Sequence, residues 1–162
     1  MSEDAPVVFD VGVVALAHSG TPMSGTALEY VRDAIRGDLD AVVPYQTLFG
    51  AHHVLHRNYD FSPEEATYVL TNFLDARRIH WYAGPGATDS REGLAIAGEH
   101  NIEGWDGLYA HVAQATGAAT VIGLDDDFER VGLDVEIPLT DEERAALYEY
   151  LTPEGEIGRA HV

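Results

Sequence analysis

Cysteine and lysine are both absent from this chain of 162 residues. Without cysteine there are no disulfide bonds and no thiolate metal sites. Without lysine there is no phosphate-binding loop of the Walker type. Long apolar runs are also missing, since none approaches the roughly 20 residues of a transmembrane helix. The acidic start Met1-Ser2-Glu3-Asp4 does not resemble a secretory signal. We therefore expect a soluble, cytoplasmic protein with no membrane partner.

The composition is strongly acidic. Nine arginines stand against 28 aspartates and glutamates, which gives a formal net charge of −19. Such self-repulsion opposes folding in dilute buffer, but the Debye length falls to about 3 Å in 1 M salt. We interpret the chain as adapted to the molar internal salt of an extreme halophile, because an ordinary acidic protein explains the missing lysine less well. Acidity normally argues against a nucleic-acid partner, and molar salt weakens that argument.

Strand-like and helix-like segments alternate along the chain. Strands are predicted at residues 6–14, 41–44, 79–82, 119–124 and 135–138, the first running into a turn. Helices are predicted at 24–36, 45–57, 62–73, 89–99, 105–116 and 140–151. Strands separated by helices indicate a parallel sheet covered on both faces. We expect an α/β fold, a three-layer α/β/α sandwich with a central parallel sheet, in one domain over residues 1–151. The tail 152–162 is expected to be loose.

Two of the predicted helices have well-defined starts. Ser62-Pro63-Glu64-Glu65 combines a serine cap, a proline at the first position and a glutamate at the third. Thr140-Asp141-Glu142-Glu143 follows the same pattern with a threonine cap.

Three aspartates stand next to structural landmarks. Asp10 follows the apolar run 7–9, Asp106 lies at the start of a predicted helix, and Asp125 directly follows the predicted strand 119–124. In a parallel α/β sheet such positions converge on one crevice. Two unit charges about 5 Å apart repel by roughly 3 kcal/mol at an effective dielectric constant near 20. A cluster of three therefore needs a cation, a shared proton or strong solvation, and a divalent metal ion fits best.

Each aspartate also has a plainer interpretation. Asp10 could cap a helix or a turn, Asp106 could be a helix N-cap, and Asp125 could be a solvated turn residue. Receiver domains and haloacid-dehalogenase-like phosphatases also place an aspartate after the first strand. Both use a lysine, and the phosphatases need a second aspartate where Gly12 stands. No Gly-x-Gly-x-x-Gly run follows a strand, which argues against a dinucleotide-binding fold.

At these aspartates the chain resembles the PIN-domain family, which includes toxin nucleases of prokaryotic toxin–antitoxin pairs. The resemblance rests on Val7-Val8-Phe9-Asp10 and on the segments 105–113 and 118–128, and the element order agrees over residues 6–138. It implies a metal-dependent endoribonuclease that binds magnesium or manganese through Asp10, Asp106 and Asp125. Asp127 would add a further contact or be an exposed turn residue. The resemblance also implies RNA as substrate, a homodimer and an antitoxin partner.

The chain departs from the family pattern in two places. Val11-Gly12 stands where many members have a polar residue after the first aspartate. The helix 45–58 contains no acid, so that Gly50 occupies about the position of the family's glutamate, and Gln46 is the nearest polar candidate. Loss of one carboxylate weakens a metal site. The alternative function is therefore a catalytically weakened or inactive PIN-like module that binds RNA or a protein.

The same helix carries a basic group, His52, His53, His56 and Arg57. His52 and His56 are one turn apart, close enough to meet one ion or one phosphate. A neutral imidazole would partly replace the missing carboxylate and shift the metal preference toward manganese or zinc. With Arg57, the histidines could instead hold RNA phosphates. The plainer interpretation is core or surface histidines with structural contacts.

Overall fold

Five parallel strands form the centre of the computed structural model, which describes residues 5–84, 86–124 and 126–152. The strands are β1 Val7–Phe9, β2 Ala41–Pro44, β3 His80–Tyr82, β4 Thr120–Ile122 and β5 Asp134–Glu136. Their order in the sheet is β3-β2-β1-β4-β5, and each neighbouring pair is parallel. The predicted parallel α/β sheet is confirmed.

Seven α-helices flank this sheet in the described part of the chain. They are α1 Val11–His18, α2 Gly25–Arg36, α3 Gln46–Asn58, α4 Pro63–Leu74, α5 Ala87–His100, α6 Gly104–Thr116 and α7 Asp141–Leu151. A 3₁₀ helix at Asp127–Val131 follows β4. None of the described helices is long and apolar enough to cross a membrane. The tail predicted to be loose lies outside the described residues beyond Thr152.

Helix α1 occupies the second half of the segment predicted as a strand at 6–14, and that part of the prediction is wrong. Its five central residues, Val13 to Ala17, are all buried. A helix buried on every side has no polar face, and a continuous apolar run does not distinguish it from a buried strand. The helix matters for the site because Asp10 stands between β1 and α1.

The predicted helix starts at Ser62 and Thr140 are confirmed. The Ser62 hydroxyl accepts from the backbone N–H of Glu65 at 3.0 Å, and the Glu65 carboxylate accepts from Ser62 N–H at 2.8 Å. Thr140 and Glu143 form the same reciprocal pair at 3.1 and 2.9 Å. Each pair satisfies two N–H groups that would otherwise lack partners at a helix start. The start of α7, which reaches the site, is therefore well defined.

Two hydrophobic clusters cover the two faces of the sheet. Because side chains alternate along a strand, Val7 and Phe9 belong to one cluster and Val8 to the other. The first cluster includes buried residues of α1, α2, α3, α4 and α7, and the second includes those of α6 and the 3₁₀ helix. This arrangement is the predicted three-layer α/β/α sandwich.

The strand order reverses between β1 and β4. The chain runs outward from β1 to β2 and β3, and returns to place β4 and β5 on the other side of β1. Asp10 N–H donates to the carbonyl of Ile122 at 3.2 Å, which ties the two strand ends together. Ligands of open α/β sheets bind in the crevice beyond the carboxyl ends of the strands at such a reversal. The fold therefore directs attention to the surroundings of Asp10.

Candidate functional site

Asp10 lies at the carboxyl end of the central strand β1 and is buried. Its Oδ1 accepts a hydrogen bond from Val13 N–H at 3.0 Å, so the residue does act as the N-cap of α1. This cap does not exclude a site role, because a carboxylate has further lone pairs on both oxygens. A Cβ atom at Gly123 would lie 2.8 Å from Oδ2. Glycine at this position therefore leaves room for the carboxylate at the end of β4.

Asp106 lies in the first turn of α6 and is half-buried. The N-cap of this helix is Glu103, so the N-cap interpretation of Asp106 does not apply. Helix α6 is held close to α5 at the next residue, since a Cβ atom at Gly107 would lie 2.2 Å from the carbonyl oxygen of Gly93. The close helix crossing fixes the position of the Asp106 backbone.

The buried Tyr109 hydroxyl lies within the electrostatic reach of both aspartates. It lies 2.7 Å from the Thr47 hydroxyl and also hydrogen-bonds to the backbone of Val11. Burial raises the pKa of Tyr109 well above its ordinary value, and the negative charges of Asp10 and Asp106 raise this pKa further. Both carboxylates therefore act on one hydroxyl group, although they are far apart in sequence. Tyr109 stays neutral and hydrogen-bonded.

A cleft of about 740 Å³ opens at this point of the molecule. Its described lining includes four acidic residues, Asp10, Glu103, Asp106 and Asp127. Helix α3 contributes Gly50, His53, Val54 and Asn58, helix α6 contributes Trp105 and Tyr109, and helix α7 contributes Arg144, Leu147, Tyr148 and Leu151. The cleft thus combines carboxylates, aromatic rings and an arginine.

The described carboxylates fit part of a divalent metal site. Asp10, Asp106 and Asp127 supply hard oxygen donors to one cleft, which suits magnesium or manganese. The third predicted ligand, Asp125, lies outside the described residues, between the lining residue Leu124 and Asp126. Within residues 5–84, 86–124 and 126–152, no three histidine, aspartate or glutamate side chains are close enough to hold an ion. The described carboxylates are suitable ligands, and a complete metal site would also need Asp125.

An apolar wall stands beside the carboxylates. A Cβ atom at Gly50 would lie 2.6 Å from Cγ2 of Val11, so the valine side chain fills the space that a side chain at position 50 would need. A Cβ atom at Gly12 would likewise lie 2.9 Å from Cδ1 of Leu124. The two departures from the family pattern, at residues 11–12 and at residue 50, are therefore in contact with each other.

Two of the predicted substitute ligands have contacts between α3 and α4. His52 Nε2 lies 3.1 Å from the carbonyl oxygen of Pro63 and 3.0 Å from the hydroxyl of Thr67. His56 Nδ1 lies 2.8 Å from the carbonyl oxygen of Phe61. Neither histidine lines the cleft. Their ring nitrogens secure the connection between the two helices, so the structure does not bring this pair to the aspartates.

The remaining polar candidates of α3 differ in whether they reach the cleft. Among the described lining residues, His53 is the histidine that reaches the cleft. Gln46 lies at the first position of α3, and its buried Oε1 has no hydrogen-bond partner within the described residues. Arg57 is exposed in the last turn and does not line the cleft. Of the group proposed from the sequence, only His53 is placed next to the acidic residues.

Three further lining residues, Tyr109, Arg144 and Tyr148, are missing from the sequence-based set. Tyr109 is three residues after Asp106, a spacing that places two side chains on one helix face. That spacing could have drawn attention to it. Arg144 and Tyr148 belong to α7, whose approach to the cleft depends on tertiary packing. No local signal in the sequence indicates this approach.

The strand order and the flanking helices form a PIN-like α/β fold. A crystal structure of FitAcB from Neisseria gonorrhoeae matches it with a TM-score of 0.56 and 16% sequence identity. The match covers 82% of this chain and 97% of that chain. At this identity the similarity concerns the fold alone. No protein-family model and no curated protein sequence matches the chain.

Proposed function

We propose that this protein is a metal-dependent endoribonuclease that hydrolyses RNA phosphodiester bonds. The observation that carries the proposal is that Asp10, Asp106 and Asp127 line one cleft at the strand-order reversal, together with the buried Tyr109. Carboxylates gathered in this way repel one another, and a bound cation offsets this repulsion more directly than a shared proton or solvation does. The PIN-like fold supports the same reaction class.

In this proposal Asp10, Asp106 and Asp125 would hold magnesium or manganese, and Asp127 would add a further contact. A bound ion would supply an activated water and would stabilise the charge that develops on the phosphate. Tyr109, which lines the same cleft, is hydrogen-bonded to Thr47. The apolar side chains of Val11 and Leu124 line the cleft beside these carboxylates.

The test is cleavage of a mixed RNA pool in molar KCl with magnesium, manganese or EDTA. We expect cleavage that requires the metal and is lost in Asp106→Asn. The matched control is Asp75→Asn, which changes an exposed aspartate at the end of α4 that does not line the cleft. Metal-dependent cleavage that persists in Asp106→Asn would contradict the assigned role of this carboxylate.

A second candidate function is a catalytically inactive PIN-like module that binds RNA or a protein. It is favoured by the contact of Val11 with Gly50, because this contact leaves no space for a carboxylate side chain at position 50. This candidate predicts that folded wild-type protein does not cleave the RNA pool with any metal, even at high concentration. It would still bind RNA or a partner protein.

We extend the proposal to the toxin of a toxin–antitoxin pair, working as a homodimer in the cytoplasm. The resemblance of the aspartate-bearing segments and the PIN-like fold support this extension. Expression should arrest growth of a host cell, and co-expression of a small protein encoded beside the gene should relieve the arrest. The mass of the purified protein in solution should be that of two chains. Harmless expression and a monomeric mass would contradict the extension.

We also propose that the protein is adapted to molar salt. In the described part of the chain, the arginine–carboxylate pairs are those of Arg36 with Asp33 and Asp38. With 28 acidic residues against nine arginines, most of the negative charge has no arginine to balance it. The midpoint of thermal unfolding should rise as KCl is increased to molar concentrations, because screening reduces the self-repulsion. A midpoint independent of salt would contradict halophilic adaptation.

A further inference from the structure

Helix α7 contributes one wall of the acidic cleft. Its lining residues are Arg144, Leu147, Tyr148 and Leu151, whose spacing places them on one face of the helix. Leu147 is buried, whereas Arg144 and Tyr148 are exposed. A charged group and an aromatic ring therefore stand one turn apart on this wall.

Packing at both ends holds α7 in place. Near its start, Glu143 Oε2 accepts a hydrogen bond from the backbone N–H of Thr26 on α2 at 3.3 Å. Near its end, Tyr150 stacks on Tyr59 with ring centroids 5.6 Å apart and an interplanar angle of 16°. Leu147 anchors the middle in the core. The wall is thus presented by a helix that is already ordered, which reduces the entropic cost of binding.

The position of Arg144 is not explained by the stability of α7. It lies at the fourth position of the helix, near the end where the helix dipole disfavours a cation. Within the described residues its guanidinium has no ion pair and no hydrogen bond. Four acidic residues line the same cleft, so a cation there would offset their repulsion of a polyanion. Among the described lining residues Arg144 is the one arginine, and its planar group suits phosphate.

Two exposed aromatic rings line the same cleft. Tyr148 is 71% exposed and Trp105 is 44% exposed. Trp105 is held by stacking on Tyr109, with ring centroids 6.0 Å apart and an interplanar angle of 22°. Exposed aromatic rings are platforms on which nucleic-acid bases stack. Only unpaired bases can turn out to reach such rings.

We propose that Arg144 and Tyr148 form a binding wall for single-stranded RNA, in which Arg144 contacts a phosphate and Tyr148 stacks on a base. Trp105 provides a second stacking surface in the same cleft. This inference rests on the proposed function, because it names the substrate class of the same site. Direct phosphate contacts and stacking act at short range, so they persist when molar salt screens long-range attraction.

The test is fluorescence anisotropy with a labelled single-stranded RNA about ten nucleotides long, in molar KCl and EDTA so that cleavage cannot interfere. Arg144→Gln and Tyr148→Ala should each weaken binding roughly tenfold. The matched controls are Arg91→Gln on α5 and Tyr68→Ala on α4. Tyr68 is 70% exposed, like Tyr148, and neither control residue lines the cleft. Both controls should bind as the wild type does.

Measurements of stability distinguish RNA binding by Arg144 and Tyr148 from a purely structural role of these residues. Arg144→Gln should leave the unfolding midpoint unchanged or slightly raised, because it removes a cation from the start of a helix. Tyr148→Phe should keep binding, because the ring remains. Loss of binding that merely follows loss of stability would overturn the proposal.

Four other outcomes would also overturn it. They are equal RNA affinity in all variants, no RNA binding by the folded wild type, equal affinity for duplex and single-stranded RNA, and tighter binding of an arginine-rich peptide than of RNA that is lost in Tyr148→Ala. The last outcome would assign the wall to a protein partner. RNA binding without metal-dependent cleavage would contradict the endoribonuclease proposal and leave this inference standing, so the two failures are distinguishable.

Discussion

Replacement of Gly50 by alanine tests whether Val11 fills the space beside the candidate site. Gly50 lies inside α3, and the added Cβ would be 2.6 Å from Cγ2 and 3.2 Å from Cγ1 of Val11. The first distance is far shorter than an ordinary van der Waals contact between carbon atoms, about 3.5–4.0 Å. Rotation of the branched valine side chain about χ1 is restricted, so it cannot move aside freely.

Two opposing effects decide the outcome for Gly50→Ala. Alanine is better than glycine in a helix interior by about 0.8–1.0 kcal/mol. An added methyl group in a packed region costs about 1–3 kcal/mol. The steric cost exceeds the helix-propensity gain, and we expect a net loss of about 1 kcal/mol in the free energy of unfolding.

The decisive assay is a double-mutant cycle with Val11→Ala, followed by urea unfolding at constant molar KCl. Once the valine methyl groups are removed, Gly50→Ala should stabilise the protein by about 1 kcal/mol through helix propensity alone. The coupling energy between the two positions should therefore be about 1–3 kcal/mol. If Gly50→Ala stabilises the protein equally with and without Val11, the proposed contact is refuted.

Two further predictions concern a metal ligand and a pH effect. Val11→Ala/Gly50→Glu should bind manganese more tightly than Val11→Ala in calorimetric titration, because a carboxylate then reaches the cleft wall, whereas Gly50→Glu alone should gain less. Equal affinities in all three variants would contradict this. The hydrogen bond from His111, at 2.6 Å, holds the pKa of Asp89 below its ordinary value of 3.8. The stability from this lowered pKa is present above pH 3.8 and is lost as the pH falls toward the folded-state value. In Asp89→Asn the free energy of unfolding should fall less steeply than in the wild type as the pH is lowered through this range, as measured by urea unfolding at a series of acidic pH values. An equally steep fall in both proteins would refute the role of Asp89.

The parts of the fold that were predictable have local causes. The Ser62 and Thr140 caps use side chains within three residues, and β2 was placed at residues 41–44 in the sequence and in the structure. The alternation of strands and helices was sufficient to predict the parallel sheet. Helix α1 was missed because burial on every side removes the polar face by which a helix is recognised.

The candidate site depends on contacts between residues far apart in the sequence. The approach of Asp10 and Asp106 to one cleft was expected, because residues at strand ends and helix starts of a parallel α/β sheet converge on one crevice. The contact of Val11 with Gly50 joins α1 and α3 and has no local signal. The same is true of Arg144, because its helix reaches the cleft through the packing of Leu147 and Glu143 against the rest of the molecule.

Calorimetric titration of manganese in molar KCl would show whether the clustered aspartates hold a divalent cation. The variants are Asp10→Asn, Asp106→Asn and the control Asp75→Asn. Asparagine caps helices about as well as aspartate, so Asp10→Asn should leave α1 intact. We predict binding by the wild type and the control, weakened roughly tenfold or more in Asp10→Asn and Asp106→Asn because each loses a charged oxygen ligand. Identical titrations for all four proteins, or no binding by the folded wild type, would contradict a metal site at these aspartates.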